Sequence, residues 1–223
     1  MSRSTGSKIA PGAYGEAKTG GYYANARHDL VATLPRPLGR VLDVGCGEGA
    51  TGQLLLEQGA TSVTGIEINA QAAARAREVL DDVKLGAVED VLPTLEGSWD
   101  TVCCYDVLEH LVDPSSVLGD LRAMASPGAH LSVSVPNARH VSLLLDLTLR
   151  GTFGYTDWGH RDSTHLRWFT RRDIEQAIDA TGWRVLATSH PALGRSRPLD
   201  LLTRGRSTEF LVGQWYVLAV ARP

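Results

Sequence analysis

A glycine-rich loop set between a short apolar run and a helical pattern constrains this chain more than any other feature. Arg40–Val44 reads as a strand, Asp43-Val44-Gly45-Cys46-Gly47-Glu48-Gly49 as the turn that leaves it, and Ala50–Gln58 as the helix that follows. A strand that feeds a helix through glycines is half of a βαβ unit, and the pattern repeats downstream. Strands are predicted at Ser62–Ile66, Val83–Val88, Trp99–Tyr105, His130–Val135 and Trp183–Thr188, with a last β-rich run over Glu209–Val220. Helices are predicted at Ala70–Leu80, Pro114–Ala125, Val141–Leu149 and Arg171–Thr181, the last ended by Gly182. An earlier helix from Tyr22 to Leu34 is stopped by Pro35 and Pro37. Strands alternating with helices close into a doubly wound α/β sheet with right-handed crossovers.

Such a sheet binds ligands at the carboxyl ends of its strands, where the loop lies. Gly45, Gly47 and Gly49 let the backbone turn sharply and approach a ligand closely. Glu67 ends the second strand 24 residues after Asp43, where an acid can accept both hydroxyls of an adenosine ribose. The loop reads D-x-G-x-G-x-G, not the G-x-G-x-x-G that seats a pyrophosphate on a helix N-terminus. The Asp43 carboxylate would repel phosphate, yet it suits a ligand carrying a sulfonium and an amino group. The residues thus favour a methyl donor over a nicotinamide dinucleotide.

Further segments follow in order: Asp106-Val107-Leu108-Glu109-His110-Leu111, Val135-Pro136-Asn137, and Asp162-Ser163-Thr164-His165-Leu166-Arg167-Trp168-Phe169-Thr170. With the glycine loop they resemble the class I S-adenosylmethionine-dependent methyltransferases from about Tyr22 onward. The branch they look most similar to is the bacterial one associated with glycosyltransferases. The resemblance implies a Rossmann-like seven-stranded sheet whose last strand is antiparallel, with a helical lid near 137–168. It also implies S-adenosylmethionine as cofactor, with Gly45 and Gly47 toward its methionine portion, Glu67 toward its ribose and Cys104–Asp106 toward the sulfonium. The expected donor-binding set is Tyr22, Arg27, Asp43, Gly45, Cys46, Gly47, Glu67, Ile68, Val88, Glu89, Tyr105 and Asp106. One departure stands out: the family's Gly-Asp after the third strand is here Gly86-Ala87-Val88-Glu89, so Glu89 or the Val88 backbone would have to meet the adenine.

Methyl transfer to a hydroxyl needs alignment and a base, and imidazole titrates in the useful range. His165 is the first candidate, since Asp162 could orient its ring, and His110 the second. The alternative is that His165 and Arg167 merely pin the lid, and that His110 caps a helix. Asp106, Glu109 and His110 form an acid-x-x-Glu-His pattern similar to one that holds a divalent metal in ubiquinone-pathway O-methyltransferases, but no metal is included in the expected site. Tyr155, Trp158, His160 and Arg161, with Phe153, are expected to line an acceptor pocket, while Trp183 and Trp215 belong to the core.

Charge bears on partners: 22 basic and 25 acidic residues give a net charge of −3, with no global drive toward nucleic acid or anionic membrane. The run of Arg161, Arg167, Arg171, Arg172 and Arg184 reads as a solvated face. Cys46, Cys103 and Cys104 make no disulfide framework, and Cys103 and Cys104 should point to opposite faces of their strand. With no apolar leader in the first ten residues, a cytoplasmic protein is expected. Residues 1–21 read as a flexible arm and 22–223 as one domain, whether monomer or homodimer. The expected reaction is methylation of a hydroxyl or amine on a small molecule, a sugar-containing metabolite or natural product among the candidates. An RNA methyltransferase and a non-catalytic S-adenosylmethionine-binding module are the alternatives.

Overall fold

The computed structural model describes residues 25–192, 202–204 and 207–223. Seven strands form one sheet: β1 Arg40–Val44, β2 Ser62–Glu67, β3 Asp82–Leu85, β4 Trp99–Tyr105, β5 Ala125–Pro136, β6 Trp183–Ser189 and β7 Gln214–Ala221. Their spatial order is β3-β2-β1-β4-β5-β7-β6. The first five run parallel, and β7 is antiparallel to both β5 and β6. Strand order reverses between β1 and β4, so the sheet opens a crevice at the carboxyl ends of these two strands. The fold is the one expected.

Helices cover both faces, and the pleat assigns side chains to them. On β1, Leu42 and Val44 join a core with Leu118, Leu121, Ile174 and Trp183, while Val41 joins a second with Leu55, Ala73 and Leu80. Cys104 and Cys103 divide the same way, as alternation requires, and all three cysteines are free and buried. Strands buried on both faces explain why β1, β2 and β4 read as near-continuous apolar runs.

Among the described residues the α-helices are α1 His28–Val31, α2 Ala50–Glu57, α3 Ala70–Ala76, α4 Val88–Val91, α5 Pro114–Ala123, α6 Val141–Leu145, α7 Arg171–Ala180 and α8 Thr208–Leu211. Their starts have local causes. Asn69 caps α3 by accepting from the amides of Gln71 and Ala72, and Asp113 caps α5 ahead of Pro114. Thr170 and Asp173 close a capping box on α7, and Gly182 follows its end at φ +89°.

Several boundaries differ from expectation. The third strand stops at Leu85, because Gly86 turns at φ +151° and Val88 already begins α4. Glu209 lies in α8, not in the last strand, and Gly213 separates that turn from β7. The helix from Val141 runs through α6 and then widens into a π-turn over Asp146–Arg150 before Gly151 ends it at φ +65°. Of the helix expected from Tyr22 to Leu34, α1 is the single turn within the described residues; Tyr22 and the 1–21 arm lie outside them. No helix among the described residues is long and apolar enough to cross a membrane.

Candidate active site

A cavity of about 510 Å³ occupies the crevice at the carboxyl edge of the sheet. Its walls come from the β1–α2 loop, the ends of β2, β3 and β4, Pro136 at the end of β5, the 159–165 loop, and Gln214 at the start of β7.

The glycine loop is held close to its surroundings. Gly45 sits at φ +71°, and a Cβ there would lie 2.5 Å from Val107 Cγ2. Glu67 is buried and bonded to backbone: Oε2 accepts the Gly47 amide at 2.9 Å and Oε1 accepts the Asn69 amide at 2.8 Å. A carboxylate offers about four acceptor directions, so two remain. Burial raises the Glu67 pKa, against the lowering effect of those amides. Asp43, also buried, has one oxygen, Oδ2, with no hydrogen-bond partner among the described residues. Burial first, and then the Glu67 charge, push its pKa up to about 7. Two acids on one apolar wall form a negative shelf that favours a cationic group.

Arg27 closes one side. Its guanidinium pairs with Asp106 and reaches Ser134 Oγ at 3.2 Å and Gln214 Oε1 at 3.3 Å, between the rings of Tyr105 and Tyr216. Asp106 adopts φ +56°, and its Oδ1 takes further bonds from Ser134 and Gln214. This left-handed turn swings the chain from β4 into the cavity floor.

On that floor Glu109, His110 and His165 converge, each offering a ligand atom within 4.8 Å of the others. The Glu109 side chain is buried with neither oxygen hydrogen-bonded among the described residues, and burial, then the nearby Asp106 charge, raise its pKa well above the carboxylate range. Its carbonyl is bonded, accepting the amides of Leu166 and Arg167, which ties the 159–168 loop to the β4 turn. The His110 and His165 rings meet edge to face at 4.8 Å.

Among the expected donor-binding residues, Arg27, Asp43, Gly45, Cys46, Gly47, Glu67, Ile68, Val88, Glu89, Tyr105 and Asp106 all line this cavity; Tyr22 lies outside the described residues. Cys104 does not reach it, since its side chain is packed in the core. His110, His160 and His165 line it too. The other residues expected around the acceptor do not line this cavity. Trp158 and Tyr155 are 76% and 62% exposed and stand off the cavity wall, and Arg161 turns to a salt bridge with Asp146 at 2.7 Å. His110 does not start a helix; it closes the 3₁₀ turn Leu108–His110, and α5 begins at Pro114. Asp106, weighed as a metal ligand, is engaged by Arg27, Ser134 and Gln214, and His165 joins Glu109 and His110 instead. Arg167 reaches the Val112 carbonyl, the pinning role offered as its alternative. Sequence reasoning missed Ser134, which the parallel pairing of β5 with β4 sets beside Asp106 and Arg27, and Gln214, which the antiparallel return of β7 beside β5 brings there.

Comparison with known proteins bears on the family and the fold. The methyltransferase domain family matches residues 16–188. A ubiquinone biosynthesis O-methyltransferase of Xanthomonas oryzae pv. oryzae is 32% identical over 154 residues, 61% of this chain and 60% of that protein. The corresponding Vibrio parahaemolyticus enzyme is 35% identical over 111 residues, 47% of each chain. The chain thus spans about 60% or less of the length of these relatives, whose names place them in ubiquinone biosynthesis and not in a glycosyltransferase-associated branch. The crystal structure of an S-adenosylmethionine-dependent methyltransferase from Mesorhizobium loti shares the fold, with a TM-score of 0.60 at 18% identity over 86% of this chain and 95% of that one. The chain belongs to the methyltransferase domain family and has its class I fold.

Proposed function

We propose that this chain transfers the methyl group of S-adenosylmethionine to a hydroxyl of a small-molecule acceptor. One observation carries the proposal: a single cavity joins the acidic shelf of Asp43 and Glu67 to the Glu109, His110 and His165 cluster. Bound there, the donor supplies an electrophilic methyl on a sulfonium. Glu67 has acceptor directions left for the ribose hydroxyls, and Asp43 presents an unpartnered oxygen to an amino group. Glu89 and Val88, at the start of α4, stand where the adenine would be read. His165 and His110 serve as proton acceptors for the hydroxyl, the step that makes it nucleophilic. The 137–168 segment covers the acceptor end, and His160 is one of its inward-facing members, held by a 2.8 Å contact between Nε2 and the Gly213 carbonyl.

A hydroxyl is preferred to an amine because several relatives are O-methyltransferases by name. Nucleic acid is not favoured: net charge is −3, and two arginines of the C-terminal run are paired, Arg161 with Asp146 and Arg171 with Glu175. Three free, buried thiols suit a reducing cytoplasmic setting.

The cluster also fits a divalent cation, because the buried Glu109 carboxylate has two oxygens that nothing among the described residues satisfies. Glu109, His110 and His165 would hold the ion, which would act as a Lewis acid on the acceptor oxygen. Glu109 would then be ionised despite its burial, with its charge matched.

The test is transfer of a labelled methyl group to a panel of phenolic, glycosylated and aminated acceptors. His165→Ala is expected to slow turnover by about 100-fold or more while leaving donor affinity within two-fold. Undiminished turnover in that variant contradicts the assignment.

A further inference from the structure

His110 is gripped at one nitrogen by a residue with no assigned part in the chemistry. Its Nδ1 lies 3.2 Å from the carbonyl oxygen of Thr164 and 3.1 Å from Thr164 Oγ1. The carbonyl can only accept a hydrogen bond. The hydroxyl has a single proton, and it is directed at Asp162 Oδ1, 2.7 Å away, an oxygen that also takes the Thr164 amide at 3.0 Å. Because that proton goes to the carboxylate, Oγ1 meets His110 with a lone pair. Both contacts therefore require Nδ1 to carry the hydrogen.

We infer that Asp162 and Thr164 are positioning residues that hold His110 in its Nδ1–H form, making Nε2 the nitrogen that carries the lone pair. The inference rests on the proposed function for its catalytic meaning, because a base or a cation ligand at His110 must use that lone pair. Its structural part stands independently. The tautomer of an imidazole is fixed by the hydrogen bond its other nitrogen makes, and a carboxylate behind that bond strengthens it. The same short turn sets the second imidazole, since the His165 amide donates to the Asp162 carbonyl at 3.0 Å. One four-residue turn, Asp162–His165, thus places both rings of the cluster. The Asp162 side chain thereby has a task at His110 as well as the one expected of it at His165.

The experiment reads the ring nitrogens of His110 by NMR in protein labelled with 15N-histidine, the signal identified by its loss in His110→Gln. In the wild-type protein without donor, Nδ1 is expected to be the protonated nitrogen of the neutral ring. Thr164→Val keeps the side-chain volume but removes the hydroxyl, and a mixture of tautomers is expected. Turnover should fall about 10-fold or more, as for other residues behind a reactive imidazole, with donor affinity unchanged. Thr164→Ser should restore both. A wild-type ring protonated at Nε2 overturns the inference, as does a Thr164→Val protein with wild-type ring signals. A tautomer shift with undiminished turnover overturns the positioning role. A protein that binds donor but methylates nothing would refute the proposed function while the wild-type spectrum still decides the tautomer.

Discussion

Replacing Glu67 with Gln separates the two tasks of that carboxylate. The wild-type oxygens accept backbone amides from Gly47 and Asn69 at 2.9 and 2.8 Å. An amide side chain keeps one oxygen and turns an NH₂ toward the other N–H. Losing a hydrogen bond to a charged acceptor and stranding a buried amide costs about 1–3 kcal/mol. Part of that returns, because burial already opposes the Glu67 charge and the substitution removes the charge. Thermal midpoint should therefore fall by only a few degrees, at about 2–4 °C per kcal/mol for a chain of this size. The donor has no such refund, as one ribose hydroxyl loses a charged acceptor worth about 1.5–3 kcal/mol, which is about 10- to 150-fold in affinity. Calorimetric titration beside a thermal melt reads both. A Glu67→Gln protein that binds S-adenosylmethionine within two-fold of wild type would refute the assignment of Glu67 to the ribose.

Asp43 gives a pH signature. Its folded pKa of about 7 lies above the ordinary carboxylate value of about 3.9. The folded state then binds the proton more tightly, so its stabilising contribution is full below pH 4 and is lost as pH rises toward 7. Donor-free protein should accordingly lose stability relative to Asp43→Asn as pH rises from 5 to 7.5, and two parallel melting curves would contradict this. Pairing with an ammonium should drive the proton off, so donor binding at pH 6 should release protons, measured as a buffer-dependent binding enthalpy. Trp158→Ala and Tyr155→Ala should leave stability within about 0.5 kcal/mol and donor affinity unchanged, since both side chains face solvent away from the cavity. A ten-fold loss of donor affinity in either would place those rings in the site.

The clustering of the residues expected around the donor was readable from sequence because it is local. Asp43, Gly45, Gly47 and Glu67 sit at strand ends, so periodicity alone brings them to one edge, and β1 pairs in register with β2 from Arg40 and Ser62 onward. The acceptor side depends on long-range geometry. Nothing in the spacing of residues 153–165 tells which aromatic faces inward. The salt bridges of Asp146 to Arg150 and Arg161 fold that segment so that His160 enters the cavity and Trp158 leaves it. The pattern around Asp106 named Glu109 and His110, but the residue that converges with them is His165, since Arg27, 79 positions before Asp106 in sequence, pairs with that carboxylate. Strand ends at Gly86 and Gly213 were missed because a glycine stop and a glycine inside a strand read alike in sequence. The thiols of Cys103 and Cys104 were placed correctly, because alternation along a strand has no competitor.

Calorimetric titration of the purified protein with S-adenosylmethionine and, separately, with NAD tests the central claim most directly. Saturable one-to-one binding of S-adenosylmethionine, weakened by Glu67→Gln, and no binding of NAD is the predicted result. Binding of NAD in preference, or of neither ligand, would contradict the reading of the glycine loop and its two acids as a methyl-donor site.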